Sequence, residues 1–246
     1  MTRTAVISGG GTGIGLAIAE RLAAQGDRVV LTGRREHVLA EAAKPLGATY
    51  VAADLATVEG ARAVAAHVTE HHGSVDVIVA NAGGNAARRA VPEGLTGLDR
   101  ASWEWDANLR LNVLTAVHLV EGLKPLLGDG GRIVLFSSIA AYRGSGSGSY
   151  AGAKAALHPY AIDLSGELGP RGVTANVIAP GYIEDTEFFG TTMSPERRAT
   201  LIDQTDDKRP GTPGDIAALT AWLASPEAGH VTAQIIQSNG GALAGR

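Results

Sequence analysis

Seven short apolar runs alternate with helix-length stretches along this chain, and that alternation constrains the fold more than any other feature. The runs lie at 5–7, 29–31, 50–52, 75–80, 133–136, 174–178 and 234–237. Segments of helical character fall between them, at about 14–25, 35–45, 58–72, 99–127, 149–168 and 214–224. Strands separated by helices do not pair through tight antiparallel turns. They return in the same direction and form a parallel sheet that needs cover on both faces. The expectation is an α/β fold, with a doubly wound, seven-stranded parallel sheet inside a three-layer α/β/α arrangement. No Pro/Gly/Ser-rich linker interrupts residues 1–246, so a single domain is expected. The polar, irregular stretch 181–211, with Phe188, Phe189, Met193 and Pro195, falls outside the alternation and reads as a lid.

Composition limits the partners. A net charge of −4 without a long basic cluster argues against nucleic acid. No run approaches 18 consecutive apolar residues, so no membrane span is expected. The chain start runs straight into an apolar strand and leaves no room for a signal peptide, which makes the cytoplasm the expected location. The absence of cysteine removes disulfides, thiol catalysis and thiolate metal ligation. The seven histidines, including His71-His72, show no ligand spacing with carboxylates; they read as solvated surface, and no metal site is expected. Trp103 and Trp105 read as packing residues, and Asp206-Asp207-Lys208 as a solvated charge run.

Chemistry concentrates at three places. Tyr150 and Lys154 stand four apart at the start of an Ala-rich helical stretch, so phenol and ammonium share one helix face. A tyrosine titrates near 10 when unperturbed, and a fixed cation beside it favours the phenolate. At the chain start, Gly9, Gly10, Gly11, Thr12, Gly13, Ile14 and Gly15 follow the first strand and lead into a helix. Glycines there admit a tight turn and close approach to a pyrophosphate, while the helix N-terminus offers free N–H groups. The third place is the end of the second strand. A carboxylate there would bind ribose hydroxyls, but the residues are Gly33, Arg34 and Arg35, which suit a 2′-phosphate. NADPH is therefore favoured over NADH.

With these features in order, the chain resembles the short-chain dehydrogenase/reductase family in its branch of about 250 residues. The resemblance extends through Asp54-Leu55, Asn81-Ala82-Gly83, Asn112, Ser137-Ser138, Pro180-Gly181, Arg209 to Pro213, and Asn239-Gly240-Gly241. It implies a Rossmann-like dinucleotide-binding fold and an NADP-dependent oxidoreductase. Tyr150 would be the general acid of ketone reduction. Lys154 would lower its pKa and bind the nicotinamide ribose, Ser138 would polarise the carbonyl, and Asn112 would hold a water leading to Lys154. Asp54 and Leu55 would flank the adenine, Asn81, Ala82 and Gly83 would support the cofactor, and Pro180, Gly181 and Ile183 would bound the nicotinamide. The family's usual spacing of 13 residues before the tyrosine selects Ser137, whereas alignment of 138–144 selects Ser138; the latter is preferred. The resemblance also implies a homotetramer built partly from the helices at 99–127 and 149–168. Pro159 within the second of these should kink it beyond both catalytic positions.

The substrate is less constrained. The small-residue loop 145–149, together with Tyr142, Arg143, Phe188 and Phe189, suggests a roomy, partly aromatic pocket for a bulky or polyketide-like ketone. One alternative is 3-oxoacyl-(acyl carrier protein) reductase, with Arg88, Arg89, Arg143 and Arg171 as candidate contacts to an acidic carrier. Others are an alcohol or sugar dehydrogenase and a non-catalytic NADPH-binding sensor.

Overall fold

Every residue of β1 (Thr4–Ser8) is buried, and its side chains divide between two cores: Val6 joins one, Ala5 and Ile7 the other. A strand alternates its side chains between faces, so burial of both requires a central place in a sheet covered on each side. The computed structural model, which describes residues 2–88, 91–188 and 193–244, contains that sheet. In chain order it runs β1, α1 (Gly13–Ala24), β2 (Arg28–Gly33), α2 (Glu36–Leu46), β3 (Thr49–Ala52), α3 (Val58–His71) and β4 (Val75–Ala80). The second half continues with α4 (Gly97–Leu109), α5 (Thr115–Leu123), β5 (Leu127–Phe136), α6 (Ala140–Arg143), α7 (Gly148–Ala155), α8 (Leu157–Leu168), β6 (Thr174–Pro180), α9 (Pro195–Asp203), α10 (Pro213–Leu223) and β7 (Ile235–Ser238).

The seven strands are all parallel, in the order β3-β2-β1-β4-β5-β6-β7. Ile18 and Leu22 of α1, Leu39 of α2 and Ile216 of α10 cover one face. Val64 of α3, Leu119 of α5 and Leu164 of α8 cover the other. The strand order reverses between β1 and β4, so the loops leaving those strands diverge and open a crevice at the carboxyl edge.

The helices depart from expectation in informative places. The single helix anticipated over 99–127 is α4 and α5 joined by a π-helical turn, Arg110–Leu114, which carries Asn112. The helix anticipated over 149–168 divides at Ala156 into α7 and α8. Pro159 accounts for the break, because it offers no N–H to the Ala155 carbonyl and its ring crowds that oxygen.

The stretch 181–211 is less irregular than expected. Its ends are pinned by a bridge between Ile183 and Gly211, with Gly211 N donating to Tyr182 O at 3.0 Å and Glu184 N to Gly211 O at 3.0 Å. Inside it, α9 starts on Ser194, whose hydroxyl accepts from Arg197 N at 3.2 Å. Asp206 and Asp207 are also more than solvated charge, since both backbone N–H groups donate to Gly240 O. The histidines too are less solvated than expected. His67 and His72 each lie 3.1 Å from Thr49 Oγ1, and His118 Nδ1 donates to Leu55 O at 2.9 Å.

Candidate active site

A cleft of about 1420 Å³ runs along the carboxyl edge of the sheet. At one end it is lined by Gly9, Gly11, Thr12, Gly13 and Ile14 from the β1–α1 turn and by Gly33, Arg34 and Arg35 beyond β2. Gly9 and Gly13 hold φ of +65° and +52°, which side chains rarely tolerate. A Cβ on Gly15 would stand 2.1 Å from Gly9 O, so Gly15 lets α1 pack against the turn from beneath rather than lining the cleft. Thr12 makes no side-chain cap, which leaves the first-turn N–H groups of α1 without a side-chain acceptor among the described residues, at an anion-seeking helix end.

Asn81 fixes the turn by donating from Nδ2 to Ser8 O at 3.0 Å, and Ala82 N returns a bond to Ser8 Oγ at 3.0 Å. Asp54 and Leu55 line the floor beyond β3; Asp54 Oδ1 accepts from Ala56 N at 3.0 Å. A nucleotide's phosphates and ribose fit this end, because it presents main-chain donors, open glycines and two arginines.

At the other end, Tyr150 and Lys154 lie on one face of α7 and both line the cleft, each 5% exposed. Lys154 Nζ donates to Phe136 O at 2.8 Å, and burial lowers its pKa to about 8. Burial pushes the Tyr150 phenol up. A hydrogen bond with Ser138 and the charge of Arg88 work in the opposite direction. Among the charges, Arg88 acts to draw the phenol toward ionisation. The Lys154 ammonium is turned to a main-chain carbonyl and is itself disfavoured by burial.

The two serines part company. Ser137 Oγ donates to Lys154 O at 2.9 Å and lies 2.8 Å from His158 Nε2, so it braces α7 from behind. Ser138 instead lines the cleft, where it works to lower the Tyr150 pKa, and its hydroxyl accepts from Ala140 N at 3.1 Å.

Asn112 is fully buried and lies beneath the cleft. Its Oδ1 accepts from Gly84 N at 3.0 Å, and Nδ2 donates to Gly84 O at 2.8 Å and Asn108 O at 3.0 Å. A Cβ on Gly83 would meet Asn112 Oδ1 at 2.7 Å and Lys154 Nζ at 2.9 Å. The loop after β4 thus lies against amide and ammonium together. Pro180, Gly181 and Ile183 form the wall beyond β6.

Among the substrate candidates, the Phe188 ring lies 5.6 Å from that of Tyr150. Arg143 lines the cleft and donates to Gln204 Oε1 at 3.0 Å and Ala242 O at 3.3 Å. Tyr142 does not line the cleft. Its ring stacks obliquely on His158 at 5.2 Å. Phe189 and Arg89 lie outside the described residues.

Three residues escaped the sequence reading. Trp103, read as packing, lines the cleft. Glu187 joins the lining from the stretch after β6. Asn108 is fully buried; its Oδ1 accepts from Ala86 N and its Nδ2 donates to Ser149 Oγ, both at 3.0 Å. It thereby ties the turn carrying Arg88 to the residue before Tyr150. The signal was available, since Asn108 and Asn112 stand one helical turn apart.

Comparison with known proteins agrees with this geometry. Residues 9–242 match a family model described as enoyl-(acyl carrier protein) reductase. The chain is 34% identical over 254 residues to short-chain reductase protein NovJ of Streptomyces niveus, covering 96% of this chain and 92% of that one. It is 34% identical over 253 residues to an acetoacetyl-CoA reductase of Cupriavidus necator, with 97% of each chain covered. The crystal structure of a blue fluorescent protein from a metagenomic library, in complex with NADPH, matches with a TM-score of 0.85 and 32% identity over 98% of each chain. The chain therefore belongs to the short-chain dehydrogenase/reductase family of NAD(P)H-linked oxidoreductases acting on the C=O/CH–OH pair.

Proposed function

We propose that this chain reduces a bulky ketone to a secondary alcohol using NADPH, with Tyr150 as proton donor. The observation that carries the reading is that Ser138, Tyr150 and Lys154 line the same cleft as an open glycine cradle, with Ser138 placed to draw the Tyr150 pKa down. When bound, NADPH supplies a hydride to the carbonyl carbon. Tyr150 delivers its proton to the carbonyl oxygen, and Ser138 donates a hydrogen bond to that oxygen as negative charge develops on it. Burial keeps the phenol protonated at neutral pH, as a donor requires, and Arg88 limits how far the pKa rises. Lys154, held by the Phe136 carbonyl, binds the ribose of the nicotinamide half. The second lone pair of Asn112 Oδ1 accepts a water that leads protons to Lys154.

Arg34 and Arg35 favour NADPH, since residues 31–35, from the end of β2 to the residue before α2, offer no carboxylate to ribose hydroxyls. The NADPH complex of a structural relative is consistent with this preference. The stretch 181–211 acts as the lid, placing Phe188 against Tyr150. Exposed apolar residues on the two helices expected at subunit contacts, among them Leu98, Trp105, Leu109 and Ile162, favour a homotetramer. The cytoplasm remains the expected location.

A second reading, 3-oxoacyl-(acyl carrier protein) reductase, draws support from Arg88, Arg143 and Arg197 along the cleft. Arg171 does not contribute, because it pairs with Asp129 near the amino end of the core of β5. The two readings separate in a turnover assay that follows reduced-nicotinamide absorbance over polycyclic aromatic ketones, 3-oxoacyl thioesters and ketoses. The primary reading expects the polycycles to be reduced best. Preference for thioesters selects the second reading. Tight NADPH binding with no turnover on any member would leave a sensor and overturn both.

A further inference from the structure

An ion pair joins two residues of the cleft lining that stand 152 positions apart. Arg35, at the start of α2, donates from Nη1 to Glu187 Oε1 at 3.1 Å and from Nη2 to Glu187 Oε2 at 2.7 Å. Both side chains are about half exposed. The residues around Glu187 also reach across the cleft. Thr186 Cγ2 lies 3.4 Å from where a Cβ on Gly13 would stand, and Phe188 packs on Tyr150. A carboxylate and a phosphate engage a guanidinium through the same two-pronged geometry. Glu187 therefore occupies the face of Arg35 that a 2′-phosphate would need. Arg34, by contrast, is exposed and has no ion pair among the described residues.

We propose that Glu187 is a specificity-determining residue that competes with the 2′-phosphate of NADPH for Arg35. This rests on the reading of the β2 end as a 2′-phosphate site. NADH, which lacks that phosphate, leaves the pair intact and meets no competition. NADPH must displace the carboxylate, and doing so frees the stretch 183–188 from α2. Glu187 thus narrows the preference for NADPH and makes the hold of this stretch depend on which nucleotide is bound.

The test is direct titration of NADPH and NADH into the whole protein, read by nicotinamide fluorescence, for the unaltered chain, Glu187→Gln, Arg34→Gln, Arg35→Gln and the double variant of Glu187 and Arg35. Glu187→Gln should tighten NADPH about threefold to fivefold, the upper range for an exposed ion pair, and leave NADH unchanged. Arg35→Gln should weaken NADPH about tenfold, and adding Glu187→Gln to it should have no further effect. An NADPH affinity that is unchanged or weaker in Glu187→Gln, while Arg35→Gln still weakens it, overturns the competition and leaves the 2′-phosphate site standing. Failure of Arg34→Gln and Arg35→Gln alike to weaken NADPH removes the site itself and the competition with it.

Discussion

At the β1–β2 end of the cleft a ligand meets mostly main chain, whereas at the β4–β5 end it meets side chains delivered by separate elements. The first end is shaped by positive-φ glycines and an uncapped helix start. The second assembles Ser138 beyond β5, Tyr150 and Lys154 on α7 and Arg88 after β4, with Asn112 in a π-turn beneath them. π-helical turns within α-helices often mark functional sites. Main-chain donors cost little to present. Side chains gathered in a buried place carry a cost in stability, seen most clearly in Lys154, a buried ammonium whose pKa falls to about 8. That cost is on the order of 3 kcal/mol, from a fall from the ordinary value of 10.5.

Lys154→Met sharpens this contrast most. With the buried charge gone, turnover should fall at least about a hundredfold while the thermal midpoint rises, read by calorimetry beside the assay. A lower midpoint would break the idea that this end stores a stability cost. The serines give the next largest effect. Ser138→Ala should lower kcat about a hundredfold with stability little changed. Ser137→Ala should instead cost about 1–3 kcal/mol by denaturant melt, because it strips a partner from Lys154 O and His158, and should spare more of kcat.

At the main-chain end, Gly15→Ala drives a methyl against the Gly9 carbonyl, which is backbone and cannot step aside. It should destabilise the protein by about 1–3 kcal/mol and weaken nucleotide binding, measured by melt and titration. Arg88→Met should have the smallest effect. Removing that charge lets the Tyr150 pKa rise further. Ketone reduction needs the protonated phenol, so its loss of rate at high pH should begin at a higher pH. Alcohol oxidation needs the phenolate and should slow at fixed pH. A pH profile in both directions checks the sign.

The two ends also differ in how far the sequence discloses them. The glycine turn and the Tyr150–Lys154 pair are legible because each is set within a few residues by local backbone geometry. Pro159 likewise announces the break at Ala156. The choice between Ser137 and Ser138 depends on how the chain turns after β5, which spacing alone leaves open. The π-turn around Asn112 has no signature in apolar periodicity. The Arg35–Glu187 pair and the approach of Phe188 to Tyr150 arise from where an irregular stretch lands after a long crossover. The charge of Arg88 beside the phenol depends on where the loop after β4 lands, which helical spacing does not give.

The proton-donor assignment itself is tested most directly by Tyr150→Phe, with NADPH affinity and ketone turnover measured on the same preparation. The ring and its contact with Phe188 are preserved, so affinity should match the unaltered protein while turnover falls by about 10² to 10⁴. Undiminished turnover with intact nucleotide binding would contradict the assignment.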